Sequence, residues 1–520
     1  MKWQTIEAAR TLLQTETGAV VRDWGGRIPI ALVFPNSYTV GMSNLAMHGL
    51  YHWFSDLPDV ACERAFATLD RREDRREPIV TLESQRPLRE TSVVAFSISY
   101  ELDYPNVLTA LRRSDIPVFA HERRRFDPLV LMGGPAVSAN PAVMGPIADA
   151  IMIGEAEEAL PGLVEAGRFV LAQRRDLALD WLARLPGVWV PRAEQADRIK
   201  RQRVRDLSRR PFASSVVCPK AEFGDMRMIE IARGCVHACR FCLATRWYRP
   251  YRELDPQHVL ELAREACGRW PKVALVSAAV SDYRKIDTLV EGLRSEGIAF
   301  SVSSLRAAPL SETLLEGLAA SGARTLTIAP EAGSQRLRDA IRKGISHEDI
   351  LRATAAAARL GFGSLKLYYM VGLPGETDED VAALIALTRE VSERFGGKVI
   401  VAVTPFVPKA HTPWQRQPMA PESVLDERMA RIRAALPSDS IDIRAESIAL
   451  ARAQAIMARG DNALGEALAR AANLSPKRVE RVAARAGLHV EGYLAGWNTD
   501  RPLPWRMVDV HGSPVGEDEA

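Results

Sequence analysis

The chain of 520 residues carries 68 Lys plus Arg against 65 Asp plus Glu, a formal net charge of +3. Its length suits about three domains, each able to bury a core, and 47% hydrophobic with 26% charged residues excludes a disordered or fibrous chain. The near-balanced charge gives no electrostatic case for nucleic acid or an anionic membrane as partner. Glu7 and Arg10 interrupt the N-terminus before an apolar signal core forms, and no uninterrupted apolar run approaches about 18 residues, so a cytoplasmic protein without a membrane span is expected. Six cysteines in this length do not make a disulfide scaffold.

Strand and helix signals alternate through most of the chain, which predicts α/β architecture with parallel sheets. Ile28–Phe34 reads as a buried strand broken by Pro35-Asn36-Ser37, with a helical pattern from Val40 to Phe54 after it. Further strands are expected at Ser92–Ile98, Leu129–Met132 and Ala150–Ile153, and a helix from Tyr104 to Arg112. Gly133-Gly134-Pro135 and Gly154-Glu155 stop the last two strands. Short buried strands that end in Gly, Pro or Ser are the pattern of a doubly wound sheet at its ligand edge, which assigns residues 1–170 to a Rossmann-like domain. Residues 171–215 read as a linker, with a helix at Asp176–Leu185, a short strand at Gly187–Pro191 and a basic, solvated connector at Arg198–Arg210.

Six strand–helix units follow, with strands at Met226–Ile231, Val273–Ser277, Phe300–Ser304, Thr325–Ile328, Leu365–Val371 and Lys398–Val403. Helices are expected at Pro256–Cys267, Leu310–Ala320, His347–Leu360 and Glu379–Phe395. This predicts a barrel-like sheet over residues 216–410, whose active edge is the C-terminal end of its strands. Residues 411–520 turn to Ala- and Arg-rich helical patterns and are expected to form a smaller, mostly helical domain.

Three of the six cysteines fall within one short segment, Cys235-Val-His-Ala-Cys239-Arg-Phe-Cys242. A structural zinc site takes four ligands, usually as two close pairs. Here Cys62, Cys218 and Cys267 are isolated, and His237 lies inside the same loop. Three thiolates on one loop leave one iron of a 4Fe–4S cluster open to an exogenous ligand. A zinc-stabilised or electron-transfer protein is the non-catalytic alternative.

The segment resembles the signature of the radical S-adenosylmethionine (SAM) superfamily, C-x3-C-x2-C with an aromatic before the third cysteine, here Phe241. The resemblance implies a partial (βα)6 barrel in which Cys235, Cys239 and Cys242 ligate a 4Fe–4S cluster and the open iron is chelated by SAM. The reduced cluster then cleaves SAM to a 5′-deoxyadenosyl radical, with electrons from a donor such as flavodoxin or ferredoxin. By position in that barrel, Ser277 in Ser277-Ala-Ala-Val-Ser281-Asp282 stands where the family holds the amino group, although it departs from the usual Gly-Gly-Glu-like segment. Ser303 and Ser304 stand at the ribose, Glu331 and Gly333 at ribose and adenine, and Lys366 opens a stretch through Glu376 that is similar to the family's fifth-strand signature. Arg336 and Arg338 are candidates for the methionine carboxylate, which a guanidinium grips through two parallel bonds, or for a solvated helix face. Gly and Ser also end buried strands for reasons of turn chemistry alone.

The N-terminal block resembles the cobalamin-binding domain that precedes the radical barrel in one branch of this superfamily. The resemblance rests on Met132-Gly-Gly-Pro135, Ile153-Gly154-Glu155-Ala-Glu157-Glu158 and the loop Pro35-Asn-Ser-Tyr38-Thr-Val-Gly41-Met-Ser43. It implies a corrinoid near Tyr38, Gly41, Ser97, Ser99, Gly133, Gly134, Gly154 and Glu155. The Asp-x-His-x-x-Gly segment that supplies an axial histidine is absent, and a domain that keeps the fold without a corrinoid is the alternative. Phe223-Gly-Asp-Met226, Phe406 to Trp414 and Leu503-Pro-Trp505 are similar to an uncharacterised subgroup of this branch, so the resemblance spans nearly the whole chain. The activity implied is methyl transfer or related C–H functionalisation of an unknown substrate. Methylthio transfer is a second implied reading, but it requires three further N-terminal cysteines, where this chain has only Cys62. Weaker acid–base candidates are His411 and Trp414 beyond the sixth strand and Tyr100, Glu101 and Tyr104 at the first domain's edge. Trp247, Tyr248 and Tyr251 follow the cysteine loop and are read either as packing over the cluster or as core.

Overall fold

The computed structural model describes residues 3–69, 77–436 and 439–510. The chain folds into two units. The first comprises Met1–Asp225, Ile456–Tyr493 and Asp500–Ala520, and the second Met226–Ala455 with Leu494–Thr499.

The first unit is built on β1 (Ile28–Ser37), β2 (Val60–Thr68), β3 (Val93–Ser97), β4 (Leu129–Gly133), β5 (Ala150–Met152) and β6 (Val188–Trp189). Their order is β2-β1-β3-β4-β5-β6, parallel except for the antiparallel β6. The chain steps outward from β1 to β2 and returns across β1 to β3, so the topological switch point lies between β1 and β3. Pro35-Asn36-Ser37 extends β1 instead of ending it, and Ser37 then caps a short helix by accepting from the Val40 N–H.

Strand β2 was not expected, because Glu63 and Arg64 interrupt its apolar run. Both are buried and satisfied. The Arg64 guanidinium pairs with Glu16 at 2.6 Å and Glu83 at 2.7 Å, with all three side chains inaccessible to solvent. Tyr51 lies under the guanidinium at 4.6 Å, and the Tyr38 hydroxyl donates to Glu16 at 2.7 Å. Glu63 accepts from Trp24 Nε1 at 2.7 Å and Ser84 Oγ at 2.6 Å.

Residues 171–215, expected to be a linker, fold into this unit. They contribute the helix Arg175–Arg184, strand β6, and Ile199–Lys200, which pairs in parallel with Val508–Asp509. Within the basic run, Arg201 is buried. Nor do residues 411–520 form one helical domain. Gly465 in the helix Asn462–Arg470 would place a Cβ 2.0 Å from the Val143 carbonyl, and Asn140 donates to the carbonyls of Ala458 and Gly460 at 3.0 and 2.8 Å. This stretch therefore packs into the first unit. The segment before it belongs to the second.

The second unit contains β7 (Met226–Glu230), β8 (Lys272–Val276), β9 (Phe300–Val302), β10 (Thr325–Glu331), β11 (Ser364–Val371), β12 (Lys398–Pro405) and β13 (Ile441–Ala445). They form two parallel groups, β9-β8-β7 and β10-β11-β12-β13, joined by one bridge between Leu305 and Ile328. The six expected strands are present, and β13 adds a seventh in what the sequence suggested was helical. Along β11, Leu365, Leu367 and Tyr369 are buried while Ser364, Lys366 and Tyr368 are less covered, the two-residue period of a sheet with helices on one face. Ser311 caps the helix Glu312–Ala320, and capping boxes start His347–Arg359 (Ser346 with Asp349) and Asp378–Phe395 (Thr377 with Asp380). Among the described residues, no helix is long and apolar enough to cross a membrane.

Candidate active site

The cysteine segment leaves the end of β7 and is closed into a loop by its own short ribbon, Ala232–Arg233 paired antiparallel with Arg252–Glu253. Gly234 permits the entry: its φ is +96°, and a Cβ there would lie 2.5 Å from the Tyr248 carbonyl oxygen. Beneath it, Arg233 forks onto Glu230 through bonds of 2.9 and 2.8 Å. The Cys242 N–H donates to the Cys239 carbonyl at 3.3 Å, and Thr245 Oγ1 donates to the carbonyls of Cys239 and Cys242 at 3.3 and 2.8 Å. Backbone N–H groups of Thr245 and Ala244 point to the Cys242 sulfur, and that of His237 to Cys235.

All three thiols are free, and burial raises their pKa values, that of Cys242 to about 11. They stay protonated near neutrality until a metal displaces the proton. Among the described residues, no group of three His, Cys, Asp or Glu donors converges as a single ion requires. A cuboidal cluster takes each thiolate at a separate iron, and three thiols on one loop fit that donor set.

Phe241 packs against a core cluster that includes Ala332, Leu337, Ile341, Met370 and Trp414, fastening the loop to the strand ends beneath it. Two segments grip the loop from opposite chain positions. The Arg240 N–H donates to the Ile341 carbonyl at 3.1 Å, and the Arg240 carbonyl accepts from the Trp414 N–H at 3.3 Å. The Trp247 ring lies 5.7 Å from that of His411, so His411 is engaged in packing.

Of the residues expected at SAM, Ser277 accepts from the Ala279 N–H at 3.2 Å, a local turn bond. Five residues on, Asp282 receives His237 Nε2 on Oδ1 at 2.9 Å, while its Oδ2 is buried without a partner. Ser303 is exposed and Ser304 partly so. Both line a cavity of about 200 Å³ between β9 and β10, together with Lys272, Arg324 and Thr325. Glu331 ends β10 in the left-handed region at φ 67° and accepts from Lys343 Nζ at 2.9 Å. Lys366 lies 4.8 Å over the Tyr368 ring.

Gly333 sits against the helix Asp378–Phe395, where a Cβ would stand 2.0 Å from Leu384 N and 2.1 Å from its Cα. That contact is backbone on both sides and cannot yield. Gly333→Ala is expected to cost about 3 kcal/mol by overpacking, read as a lowered thermal midpoint together with weakened SAM binding. Both arginine candidates are engaged by groups of the chain. Arg336 pairs with Asp380 and donates to the Gly375 carbonyl at 2.9 Å. Arg338 is buried, its Nη1 donating to the Ala332 and Gly333 carbonyls at 3.0 and 2.7 Å and its Nη2 to Gln335 Oε1 at 3.0 Å.

In the first unit, the residues expected at a corrinoid divide. Tyr38 is buried with its ring edge-on to Phe66, and a Cβ on Gly41 would meet that same phenyl ring at 2.5 Å. Gly154 pairs with Gln202, and Glu155 accepts from the Val204 N–H at 2.7 Å, so the end of β5 is covered by chain. Gly134, at φ +106°, abuts the Ile98 backbone. Ser97 is buried beside Gly133, Ser99 accepts from Asn44 Nδ2 at 3.2 Å, and a Cβ on Gly133 would make an ordinary contact with Met152 Cβ at 3.7 Å. Val40 and Tyr100 are exposed near this switch point. Sequence reasoning missed Asp103, which is buried there with Oδ1 accepting from Asn36 at 2.8 Å; burial raises its pKa to about 6. His48 is buried, its Nε2 is against the Met42 carbonyl at 3.0 Å, and burial lowers its pKa to about 4.

Comparison with known proteins agrees with this geometry. Residues 229–388 match the model of the radical SAM superfamily, and residues 46–191 match that of the N-terminal region of radical SAM proteins. The uncharacterised protein MJ0966 of Methanocaldococcus jannaschii is 31% identical over 446 residues, 84% of this chain and 90% of that one. The tRNA-2-methylthio-N(6)-dimethylallyladenosine synthase of Sorangium cellulosum is 29% identical over 255 residues, 43% of this chain and 49% of its own length. The structure of the radical SAM methyltransferase TsrM of Kitasatospora setae, with cobalamin and a 4Fe–4S cluster bound, superposes with a TM-score of 0.55 at 14% identity, covering 89% of this chain and 99% of that chain. That likeness is one of fold. With a relative matched along 90% of its length and the family pattern centred on the cysteine loop, the chain belongs to the radical S-adenosylmethionine superfamily.

Proposed function

We propose that this chain is a cobalamin-dependent radical SAM methyltransferase. Cys235, Cys239 and Cys242 would hold a 4Fe–4S cluster whose fourth iron takes SAM, and the first unit would hold a corrinoid at the β1/β3 switch point. The observation that carries the SAM half is the buried, unpartnered Oδ2 of Asp282, on the carboxylate that His237 of the cysteine loop engages. A buried carboxylate oxygen without a donor is costly, and the ammonium of a methionine moiety supplies one. It is an acid doing what the family's glutamate does, displaced a few residues along the loop.

Support for the corrinoid comes from the open end of the first sheet. The exposed Val40 and Tyr100 and the polar Asn36 and Ser99, with Gly133 able to take a Cβ without a clash, suit a broad ligand with an apolar face and amide edges. His48 is turned into the core by its bond to Met42 and is no axial ligand. When bound, the cluster supplies an electron to SAM and the corrinoid carries the methyl group. The protein's part is to hold the thiolates, to orient the methionine end through Asp282, and to shield the loop from water with Phe241 and Trp247. A one-electron donor such as a flavodoxin or ferredoxin completes the requirement. Methylthio transfer is disfavoured because Cys62 and Cys218, both buried, are the only cysteines before the cluster motif.

The test is retention of hydroxocobalamin through anaerobic gel filtration after iron and sulfide reconstitution. The wild type is expected to keep a corrinoid spectrum and about one cobalt per chain. Gly133→Phe, which sets a bulky ring at the end of β4, is expected to lose the corrinoid while keeping its iron. A wild type that keeps iron but no cobalt would remove the methyl-transfer reading.

A further inference from the structure

One face of the second unit's sheet presents hydroxyls and cations. Along β11, Leu365, Leu367 and Tyr369 are buried, and the Tyr369 hydroxyl meets Thr388 of the helix Asp378–Phe395. Alternation turns Ser364, Lys366 and Tyr368 to the opposite, inner face. The Thr325 hydroxyl of β10 lies 2.7 Å from that of Ser364, so Thr325 and Thr327 share that face. On β9, Phe300 is buried, and a Cβ on Gly317 of the helix Glu312–Ala320 would meet its ring at 2.9 Å. Alternation then leaves Ser301 and Ser303 on the inner face as well. Among the residues lining the cavity of about 200 Å³ between β9 and β10 are Ser301, Ser303, Thr325 and Thr327. Its charged residues are Lys272 and Arg324, and no acid lines it among the described residues.

Lys366 stands next to this cavity, since register sets it beside Thr327, with Ile400 on its other side. Among the described residues, no carboxylate pairs with it. The acid of its register row, Asp442, lies two strands away beyond Ile400 and pairs with Arg444 at 2.9 Å. The Lys366 ammonium instead lies 4.8 Å over the Tyr368 ring. A ring attracts an ammonium without exhausting its three N–H donors. Tyr368 is two residues nearer the C-terminal end of β11, so the lysine leans toward the active edge of the sheet. Met370, two residues further, belongs to the cluster against which Phe241 of the cysteine loop packs. The ammonium therefore stands about 7 Å along the strand from that level.

Resting on the enzymatic reading above, we infer that Lys366 binds an oxyanion of the substrate, a carboxylate or a phosphate, while the Ser and Thr hydroxyls of the strip serve the polar groups beside it. An ammonium on a flexible stem suits either oxyanion. The inference names a substrate class: a small polar molecule, anionic at one end, whose reacting carbon lies within its own length of the cysteine loop. An apolar or cationic substrate in the same place would cover the ammonium without supplying a counter-charge, which is costly. Binding forms no covalent bond.

The experiment uses the full chain as purified, with inorganic phosphate and succinate as probes. Binding is followed by calorimetry, and acetylation of each lysine by an N-hydroxysuccinimide ester is read by peptide mass spectrometry. At least one anion is expected to bind and to slow acetylation of Lys366, while Lys285, exposed and paired with Asp255, reacts as before. Lys366→Met should weaken binding at least about tenfold, the loss of one charge-assisted bond, and Lys366→Arg should stay close to the wild type. Lys285→Met removes the same charge from the same unit and should change nothing. The tighter of the two probes tells a phosphate site from a carboxylate site. Protection is read in the wild type, so it stands whether or not a variant folds. Failure of both anions to protect Lys366, or equal weakening by Lys366→Met and Lys285→Met, would overturn the inference. Because no iron is needed, a chain that builds no cluster yet protects Lys366 removes the cofactor assignment alone.

Discussion

Cys239→Ala is expected to leave the chain folded, to lower its cluster content, and to reduce 5′-deoxyadenosine formation from SAM at least about a thousandfold, to background. Folding should survive because the loop is held by contacts that do not involve the thiols. The ribbon of Arg233 with Arg252, the bonds of Arg240 to Ala340 and Ile341, and the packing of Phe241 all remain. A structural zinc site behaves differently, since metal binding there is folding free energy, and removing one ligand lowers stability with metal content. Circular dichroism, iron analysis and product chromatography on the same sample separate the two cases. Cys235→Ala and Cys242→Ala should match Cys239→Ala, while Cys267→Ala, at an exposed helix end, should match the wild type.

The largest stability effect is expected in the first unit. Arg64→Met removes the one cation between Glu16 and Glu83 and leaves two inaccessible carboxylates facing each other. Breaking a buried pair in this way costs about 3–5 kcal/mol, against about 1 kcal/mol for Tyr38→Phe, which removes a single hydrogen bond to Glu16. Arg64→Lys is not expected to rescue, since one ammonium cannot reproduce a guanidinium that serves Glu16 through two nitrogens and Glu83 through a third. The network also takes Cys218 Sγ, which donates to Glu16 at 3.6 Å, and Thr17 pairs with Val217. It therefore ties the N-terminal helix to the segment that leads out of the first unit, and Tyr38 carries the tie to the end of β1. Thermal unfolding should show the first unit melting early, with corrinoid retention lost in parallel. Unchanged melting would mean that the carboxylates take up protons on losing Arg64.

What the sequence revealed, and what it did not, follows from how local each cause is. The cysteine spacing was legible because three ligands on one loop are a covalent fact that needs no tertiary context. Most strands were legible because parallel strands buried on both faces read as short apolar runs ended by Gly, Pro or Ser. Strand β2 was not, because Glu63 and Arg64 break its run and their partners lie 39 residues back in Trp24 and 48 back in Glu16, and 19 and 21 residues ahead in Glu83 and Ser84. Strand β13 carries a two-residue alternation, Ile441 and Ile443 against Asp442 and Arg444, which its Ala- and Arg-rich neighbours obscured. Around the site, Glu331 and Gly333 stand out in sequence, but what they do depends on Lys343 and Leu384, brought to them by the fold. The arginines show the same limit. Nothing in Gln335-Arg336-Leu337-Arg338 tells that one side chain pairs with Asp380 in the helix Asp378–Phe395 and the other lies buried under its own turn.

The central claim is that the cysteine loop holds an iron–sulfur cluster that reductively cleaves SAM. The most direct measurement is made on anaerobically purified protein reconstituted with iron and sulfide, reduced with dithionite and given SAM. About four irons per chain and accumulation of 5′-deoxyadenosine that Cys239→Ala abolishes are predicted. Bound zinc without iron, or a full cluster that yields no 5′-deoxyadenosine, would contradict the account.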